Sequence, residues 1–329
     1  MSLPIAGLLL VQLNFGLLPV AQKYVLGVLN PWELLLFRVS GATIIFGLIY
    51  LSIRGFLKRK TKAYPMTFSL HKKMLAFSLV GVSLNQFLLI LGLTKTGATS
   101  AAIIVPAITI FTYLFALLLG KESFDLKKAA TLGLGCLGVL ILLAGSVQEF
   151  LLSANSEQLV GVVFCILSAA AYAFYLVVSK PYTLNIHPIR FSFYLFSYGF
   201  LWVLIGLLCA QAYTSITMTH SFLADNLPNI LATKVLAPSY IATLVAIVFG
   251  PTMLAYLLNI WALRYLEAST VSGFICLQTL IGILGAKLWL SESLTLIHIL
   301  ACVCIIASVL LLTMHARPSK RSIEIEASA

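Results

Sequence analysis

The chain has 329 residues, of which 61% are hydrophobic and only 9% charged. Soluble domains carry roughly 25% charged residues, so a soluble enzyme, a secreted scaffold, a fibrous protein and a disordered chain are excluded, and a polytopic membrane protein remains. The formal net charge of +11 is therefore a topology signal rather than a sign of nucleic-acid binding, because membrane proteins gather Lys and Arg in their cytoplasmic loops.

A helix needs about 20 apolar residues to cross the hydrocarbon core. In chain order the sequence predicts ten such helices, over 3–22, 32–53, 73–93, 98–120, 127–147, 159–179, 190–212, 238–262, 268–290 and 295–314. The first lacks a basic leader and contains Gln12, Asn14 and Pro19, so it reads as a span and not as a cleavable signal peptide. Thr94-Lys95-Thr96-Gly97 makes a tight turn between spans three and four. Residues 54–72 form a basic loop and 213–237 an external one, while the polar tail from Arg317 to Ala329 is expected to be disordered. Sixteen of the 21 basic residues fall in one alternating set of loops and termini and four in the other, with Arg38 inside a span. That asymmetry puts both termini in the cytoplasm. The six cysteines all lie within apolar runs and are expected to be small core residues, with no disulfide framework, metal or cofactor.

The chain is duplicated. A shift of 170 sets Ala98, Ala116, Glu122, Ser123 and Val139 on Ala268, Ala286, Glu292, Ser293 and Val309, and a shift of 157 sets Lys23 and Pro31 on Lys180 and Pro188. Alanine and valine matches come easily in apolar sequence; the Glu-Ser pair and the Lys-x7-Pro match do not. The organisation predicted is a first five-helix repeat (1–147), an external linker (148–158), a second repeat (159–314) and a cytoplasmic tail (315–329). Five is odd, so the second copy must be inverted. Inverted repeats around a midplane site are the architecture of many secondary transporters.

Short motifs follow one another along the chain: Asn14-Phe15-Gly16, the Phe37-Arg38 pair, Gly97-Ala98-Thr99-Ser100 with Pro106, Gly120-Lys121-Glu122, Ala268-Ser269-Thr270 and Leu290-Ser291-Glu292. With this ordered set the chain resembles the drug/metabolite transporter superfamily in its ten-helix EamA-type branch. The resemblance covers about residues 3–314. It implies a central cavity lined by spans one, three, four, six, eight and nine, with amino acids as the commonest cargo. One departure stands out, since Cys276 or Gln278 replaces a proline common near the middle of span nine.

Polar residues at helical spacing mark a face turned away from lipid. Span six carries Ser168, Tyr172, Tyr175 and Ser179; span nine carries Ser269, Ser272, Cys276 and Thr279; span four carries Thr109; span eight carries Tyr256 and Asn259. Gln86 in span three is the repeat partner of Tyr256, and Gln22 lies on the corresponding face of span one. Hydroxyl residues on such faces also serve as plain helix-packing glue. Gly133, Gly135 and Gly138 in span five are expected to pack helices. Arg38 either holds a substrate carboxylate or phosphate, or is structural, pairing with Glu33 or helix-end carbonyls or snorkelling outward. Glu122 and Glu292 end spans four and nine and are gates, proton sites or caps of the following helices, and His298 is a further protonation candidate.

These residues point to a multi-pass transporter of the plasma membrane, or of the cell inner membrane in a bacterium. Its partners would be a small-molecule substrate and lipid, with a homodimer permitted and no nucleic acid. The solute would be an amino acid or a related zwitterionic or amphipathic metabolite, or alternatively a nucleoside-type metabolite such as S-adenosylmethionine. Enzyme chemistry is disfavoured, because no His-Glu-x-x-His, Gly-x-Ser-x-Gly or clustered intramembrane aspartates occur. The alternative of another class is a membrane channel or a receptor without transport, and a channel lacks its expected charged ring or carbonyl filter.

Overall fold

The computed structural model describes residues 2–60, 66–96, 98–142, 156–216, 237–281 and 296–315, and among these there is helix but no strand. The helices are α1 (Ser2–Val25), α2 (Pro31–Lys60), α3 (Phe68–Lys95), α4 (Ala98–Leu118), α5 (Leu126–Leu142), α6 (Ser156–Thr183), α7 (Pro188–Ile216), α8 (Pro238–Ala262), α9 (Ala268–Ile281) and α10 (Leu296–His315). Six segments are long and apolar enough to cross a membrane, in α1, α2, α3, α6, α7 and α8, and shorter apolar helices lie in α4, α9 and α10.

Local chemistry sets the helix starts. Asn30 and Glu33 form a reciprocal capping box on α2, with Glu33 N–H donating to Asn30 Oδ1 (2.9 Å) and Asn30 N–H to Glu33 Oε2 (2.7 Å). Pro31, Pro188 and Pro238 occupy first helical positions, where a missing N–H costs nothing. Asp125 caps α5 by accepting from the backbone N–H of Lys127 and Lys128. At the end of α4, Gly120 takes φ +60°, a conformation that costs other residues about 1 kcal/mol or more, and the chain doubles back there. Lys23 near the end of α1 donates to the carbonyl of Leu93 on α3 (3.2 Å).

The bundle is apolar outside and partly polar inside. Leu13, Ile44, Leu48, Leu137, Val163, Leu208, Val245 and Leu310 are exposed, as a lipid-facing surface requires, while Gln22, Arg38, Gln86, Thr109, Asn259 and Thr279 are buried. α3 and α4 pack on α6, α1 on α8, α2 on α7, α4 on α9 and α5 on α10. Glycines let these backbones approach. A Cβ on Gly161 would lie 3.1 Å from the Gly92 carbonyl, and one on Gly138 would meet Ile305 at 2.8 Å. Gly135 likewise packs against Ser308 and Cys276, whereas Gly133 has nothing within 4 Å, so the expectation of packing holds for two of those three glycines.

Two features were not predicted. α3 and α8 each contain a π-helical turn, at Leu79–Leu84 and Val248–Leu254, starting 169 and ending 170 residues apart. In α9 a turn at Phe274 separates Ala268–Gly273 from the helix resuming at residue 275, so the helix is interrupted in the region where the resemblance leads one to expect a proline.

Candidate functional site

A group of buried polar residues gathers where α1, α2, α3, α6, α7 and α8 meet. Tyr256 on α8 is the centre. Its ring stands edge-on to Phe15 of α1 (6.2 Å between centroids), Tyr172 of α6 (6.0 Å) and Phe196 of α7 (5.2 Å). Edge-to-face contacts of this kind place the positive rim of one ring on the negative face of the next. The Tyr256 hydroxyl donates to the Gly81 carbonyl (3.0 Å) and accepts from Gln86 Nε2 (3.4 Å). Tyr172 neighbours Tyr175 (5.9 Å), and its hydroxyl accepts from Asn259 Nδ2 (2.9 Å). Asn85 and Ser168 lock α3 to α6 alongside, with Asn85 Nδ2 donating to Ser168 Oγ and Ser168 Oγ to the Asn85 carbonyl.

π-Helical turns often sit at functional sites because they offset the hydrogen-bond ladder and re-aim side chains. Both turns here face this cluster. Gly81 in the first gives its carbonyl to Tyr256 and makes room for the Tyr175 ring, which a Cβ at position 81 would overlap. Overpacking of a filled interior costs about 1–3 kcal/mol, so Gly81→Ala is expected to lower the thermal unfolding midpoint. An unchanged midpoint would mean that the Tyr175 ring does not rest there.

Thr252 in the second turn accepts from Arg38 Nε (3.0 Å) and donates to the Ile247 carbonyl (2.8 Å). Arg38 is 1% exposed, and among the described residues no carboxylate bonds to it. Glu33, its candidate structural partner from the sequence, caps α2 through Oε2 and makes no hydrogen bond to Arg38, its Oε1 being buried without a partner among the described residues. Among the described residues no backbone carbonyl accepts from Arg38, and the side chain is buried rather than extended to the surface.

Four buried polar atoms around the cluster have no partner among the described residues: Arg38 Nη1, Gln86 Oε1, the Tyr175 hydroxyl and Asn259 Oδ1. Buried polar groups are nearly always satisfied, and other unpartnered atoms lie away from the rings, on Gln12, Ser192 and Thr279 among others. The arrangement offers one cationic donor and two neutral acceptors beside aromatic faces. Of the sequence candidates, Arg38, Gln86, Tyr172, Tyr175, Tyr256 and Asn259 come together here. Thr109 and Ser272 instead close the seam between α4 and α9, with Thr109 Oγ1 donating to the Ser272 carbonyl (2.8 Å) and Ser272 Oγ turned back to Ser269. Gln22 on α1 and Thr279 on α9 are buried with unpartnered side-chain atoms, and no hydrogen bond ties either to the rings. Glu292 lies outside the described residues, as does the side chain of His298.

Glu122 does not cap the helix that follows it. Asp125 has that role, and Glu122 reaches instead to the start of α9, accepting from Ser269 N–H (3.2 Å), from Ser269 Oγ and from Lys128 Nζ (2.7 Å). Lys128 also bonds Glu267, whose own side chain leaves the first turn of α9 uncapped. Burial alone would push the Glu122 carboxyl up, but the Lys128 charge and the hydrogen bonds from Lys128 and Ser269 outweigh it and hold it below the usual carboxylate range. Thr252, Phe196, Lys128 and Glu267 are the residues sequence reading missed. Only Pro251, within an apolar run, hinted at the turn that presents Thr252.

A family model described as the EamA-like transporter family matches residues 2–144 and 159–314. Two WAT1-related proteins of Arabidopsis thaliana are each 28% identical, one over 144 residues (44% of this chain, 38% of that one) and the other over 178 residues (46% of each). The chain thus matches less than half the length of these relatives. A solved crystal structure superposes with a TM-score of 0.70 over 96% of this chain and 98% of that one, and at 15% identity the likeness is one of fold.

Proposed function

Because the chain belongs to the EamA-like transporter family, a multi-pass membrane family of transporters rather than enzymes, we propose that it is a secondary carrier of a small organic solute, working by alternating access between two inverted five-helix repeats with both termini cytoplasmic. The observation that carries the reading is the buried ring cluster around Tyr256 with its unpartnered cation and acceptors. What sets the cluster apart is that a buried cation is among its unpartnered groups, and a cation is far costlier to bury than the neutral amides and hydroxyls left unpartnered elsewhere.

Inversion is supported by packing as well as by sequence. The paired π turns fall at repeat-related positions. α3 packs on α6 as α8 packs on α1, α3 packs on α7 as α8 packs on α2, and α2, α4 and α5 each pack on their own counterparts, α7, α9 and α10. A pseudo-twofold axis in the membrane plane produces this pattern, and exchanging the two halves' conformations then opens the site to the other side. The Glu122–Lys128–Glu267 network ties α4 and α5 of the first repeat to the start of α9 in the second. By the charge asymmetry it lies at the cytoplasmic end, where it acts as a closed gate.

The solute is an amino acid or a related zwitterionic or amphipathic metabolite. Gln86 Oε1 and Asn259 Oδ1 suit an ammonium, hydroxyl or amide donor, and the rings suit an apolar body. The rings give equal grounds for a nucleoside-type metabolite. The deciding experiment is counterflow in proteoliposomes preloaded with amino acids, nucleosides and S-adenosylmethionine. Saturable exchange of one class is expected, reduced about tenfold or more by Asn259→Leu, which leaves the Tyr172 hydroxyl without its donor. No exchange of any class, with or without a pH gradient, overturns the carrier reading.

A further inference from the structure

Arg38 is the buried charge that the fold itself does not explain. It stands about two turns into α2, 1% exposed, and its one hydrogen bond among the described residues runs from Nε to Thr252. A lone cation is costly in this setting, and a packing role would be filled as well by methionine. Thr252 does not neutralise it. The hydroxyl occupies only Nε and is itself anchored to the Ile247 carbonyl across the π turn, so it fixes the plane of the guanidinium and does not engage the terminal nitrogens. Nη1 is buried and unpartnered. Tyr256 follows Thr252 by one turn of α8, and Phe46, on the same face of α2 as Arg38, contacts Phe196, which in turn contacts Tyr256. The unpaired cation therefore adjoins the ring cluster.

We infer that Arg38 is the anion subsite beside this ring cluster: the solute carries a carboxylate- or phosphate-type oxyanion that docks end-on against the terminal guanidinium nitrogens, and Thr252 is the positioning residue that aims them. A planar oxyanion matches the guanidinium fork in a way a halide cannot. The inference deepens the carrier reading and rests on it only for the statement that the bound solute is carried.

The test is ligand protection of the purified full chain, read as the thermal unfolding midpoint by intrinsic fluorescence at constant ionic strength. Benzoate, phenyl phosphate and the uncharged isostere benzamide are the probes. Saturable protection by at least one anion and none by benzamide is expected, and the better of the two anions names the oxyanion. Arg38→Met should weaken anion binding about 30-fold or more, the usual scale for losing a buried charged partner. Thr252→Val should weaken it about fivefold, and Thr252→Ser should restore it. Protection by benzamide equal to that by the anions, no saturable protection by either anion, or unchanged anion binding in Arg38→Met each overturns the subsite. If Arg38→Met does not fold, the comparison of anion with isostere on the wild type and the Thr252 pair still decide. Counterflow separates the two readings. Exchange indifferent to Arg38→Met overturns the subsite and leaves the carrier, whereas anion protection in a protein that exchanges nothing overturns the carrier and leaves the subsite.

Discussion

Glu122→Ala is expected to cost about 3–5 kcal/mol of stability, the range found when one member of a buried ion pair is removed and its partner stays behind. The side chains of Glu122 and Lys128 are 4% and 13% exposed, so water screens their pair little. The same substitution removes from the first turn of α9 the one side-chain cap it has among the described residues, because Ser269 N–H donates to Glu122 and Glu267 bonds Lys128 rather than its own helix. Backbone amides at the start of α9 should therefore exchange hydrogen faster in Glu122→Ala, ahead of global unfolding. Glu267→Gln should have a much smaller effect, since Glu267 is 33% exposed and exposed pairs contribute about 0–1 kcal/mol. Equal effects of the two substitutions would show that the network is a surface feature and not a gate.

The pH dependence of this network has a definite sign. The Glu122 carboxyl is held below its ordinary value of 4.5 in the folded protein. Its contribution is therefore complete above that value and is lost as pH falls through the lower, folded-state value. Glu122 should leave the unfolding midpoint flat between pH 5 and 8, with Glu122→Gln removing part of the loss on stronger acidification. Lys128, Glu267 and Lys180 all face it. A proton-coupled cycle through Glu122 at neutral pH would need this network to separate before the carboxyl could take a proton. Opening must come before protonation. A shift of 170 sets Glu292 and His298 on Glu122 and Lys128, so in sequence the second repeat keeps the acid and replaces the lysine with a histidine.

Composition and loop charge made the bundle legible because lipid imposes a long, unbroken apolar run on each helix. The repeat was legible because Glu122-Ser123 and Lys23-x7-Pro31 are improbable matches in apolar sequence. The π turns were not legible. A single shifted hydrogen bond leaves no periodic trace, and although Pro251 removes a donor in α8, nothing comparable marks Leu79–Leu84 in α3. The partners of the polar residues were hidden for another reason. Arg38 and Thr252 lie 214 residues apart, and the nearer acid, Glu33, looked suitable only because its capping duty was not weighed. Phe46 and Phe196 are central to the ring cluster, yet in such a chain a phenylalanine facing the interior reads like one facing lipid. Lys128 was counted as a topology charge, which obscured its place between Glu122 and Glu267.

Tyr256 separates the cluster's packing from its polar chemistry. Tyr256→Ala removes the ring that Phe15, Tyr172 and Phe196 share, and large-to-small changes of this size cost about 3–5 kcal/mol. Exchange in proteoliposomes should fall to background even in protein that still folds, because four helices lose their common contact. Tyr256→Phe keeps the ring and deletes the hydroxyl, leaving Gln86 Nε2 and the Gly81 carbonyl each short of a partner at about 1–3 kcal/mol. Folding should survive that change. Its effect on exchange then identifies what the hydroxyl does. If Tyr256 only fixes the π turn of α3, Tyr256→Phe should lower the unfolding midpoint and slow exchange without altering the apparent KM. If the hydroxyl also orders Gln86 toward the solute, the KM should rise about five- to tenfold, and Gln86→Leu should raise it by a similar factor with no further rise in the double variant, because two groups acting through one hydrogen bond do not add. Additive effects would place Gln86 and Tyr256 on separate parts of the solute.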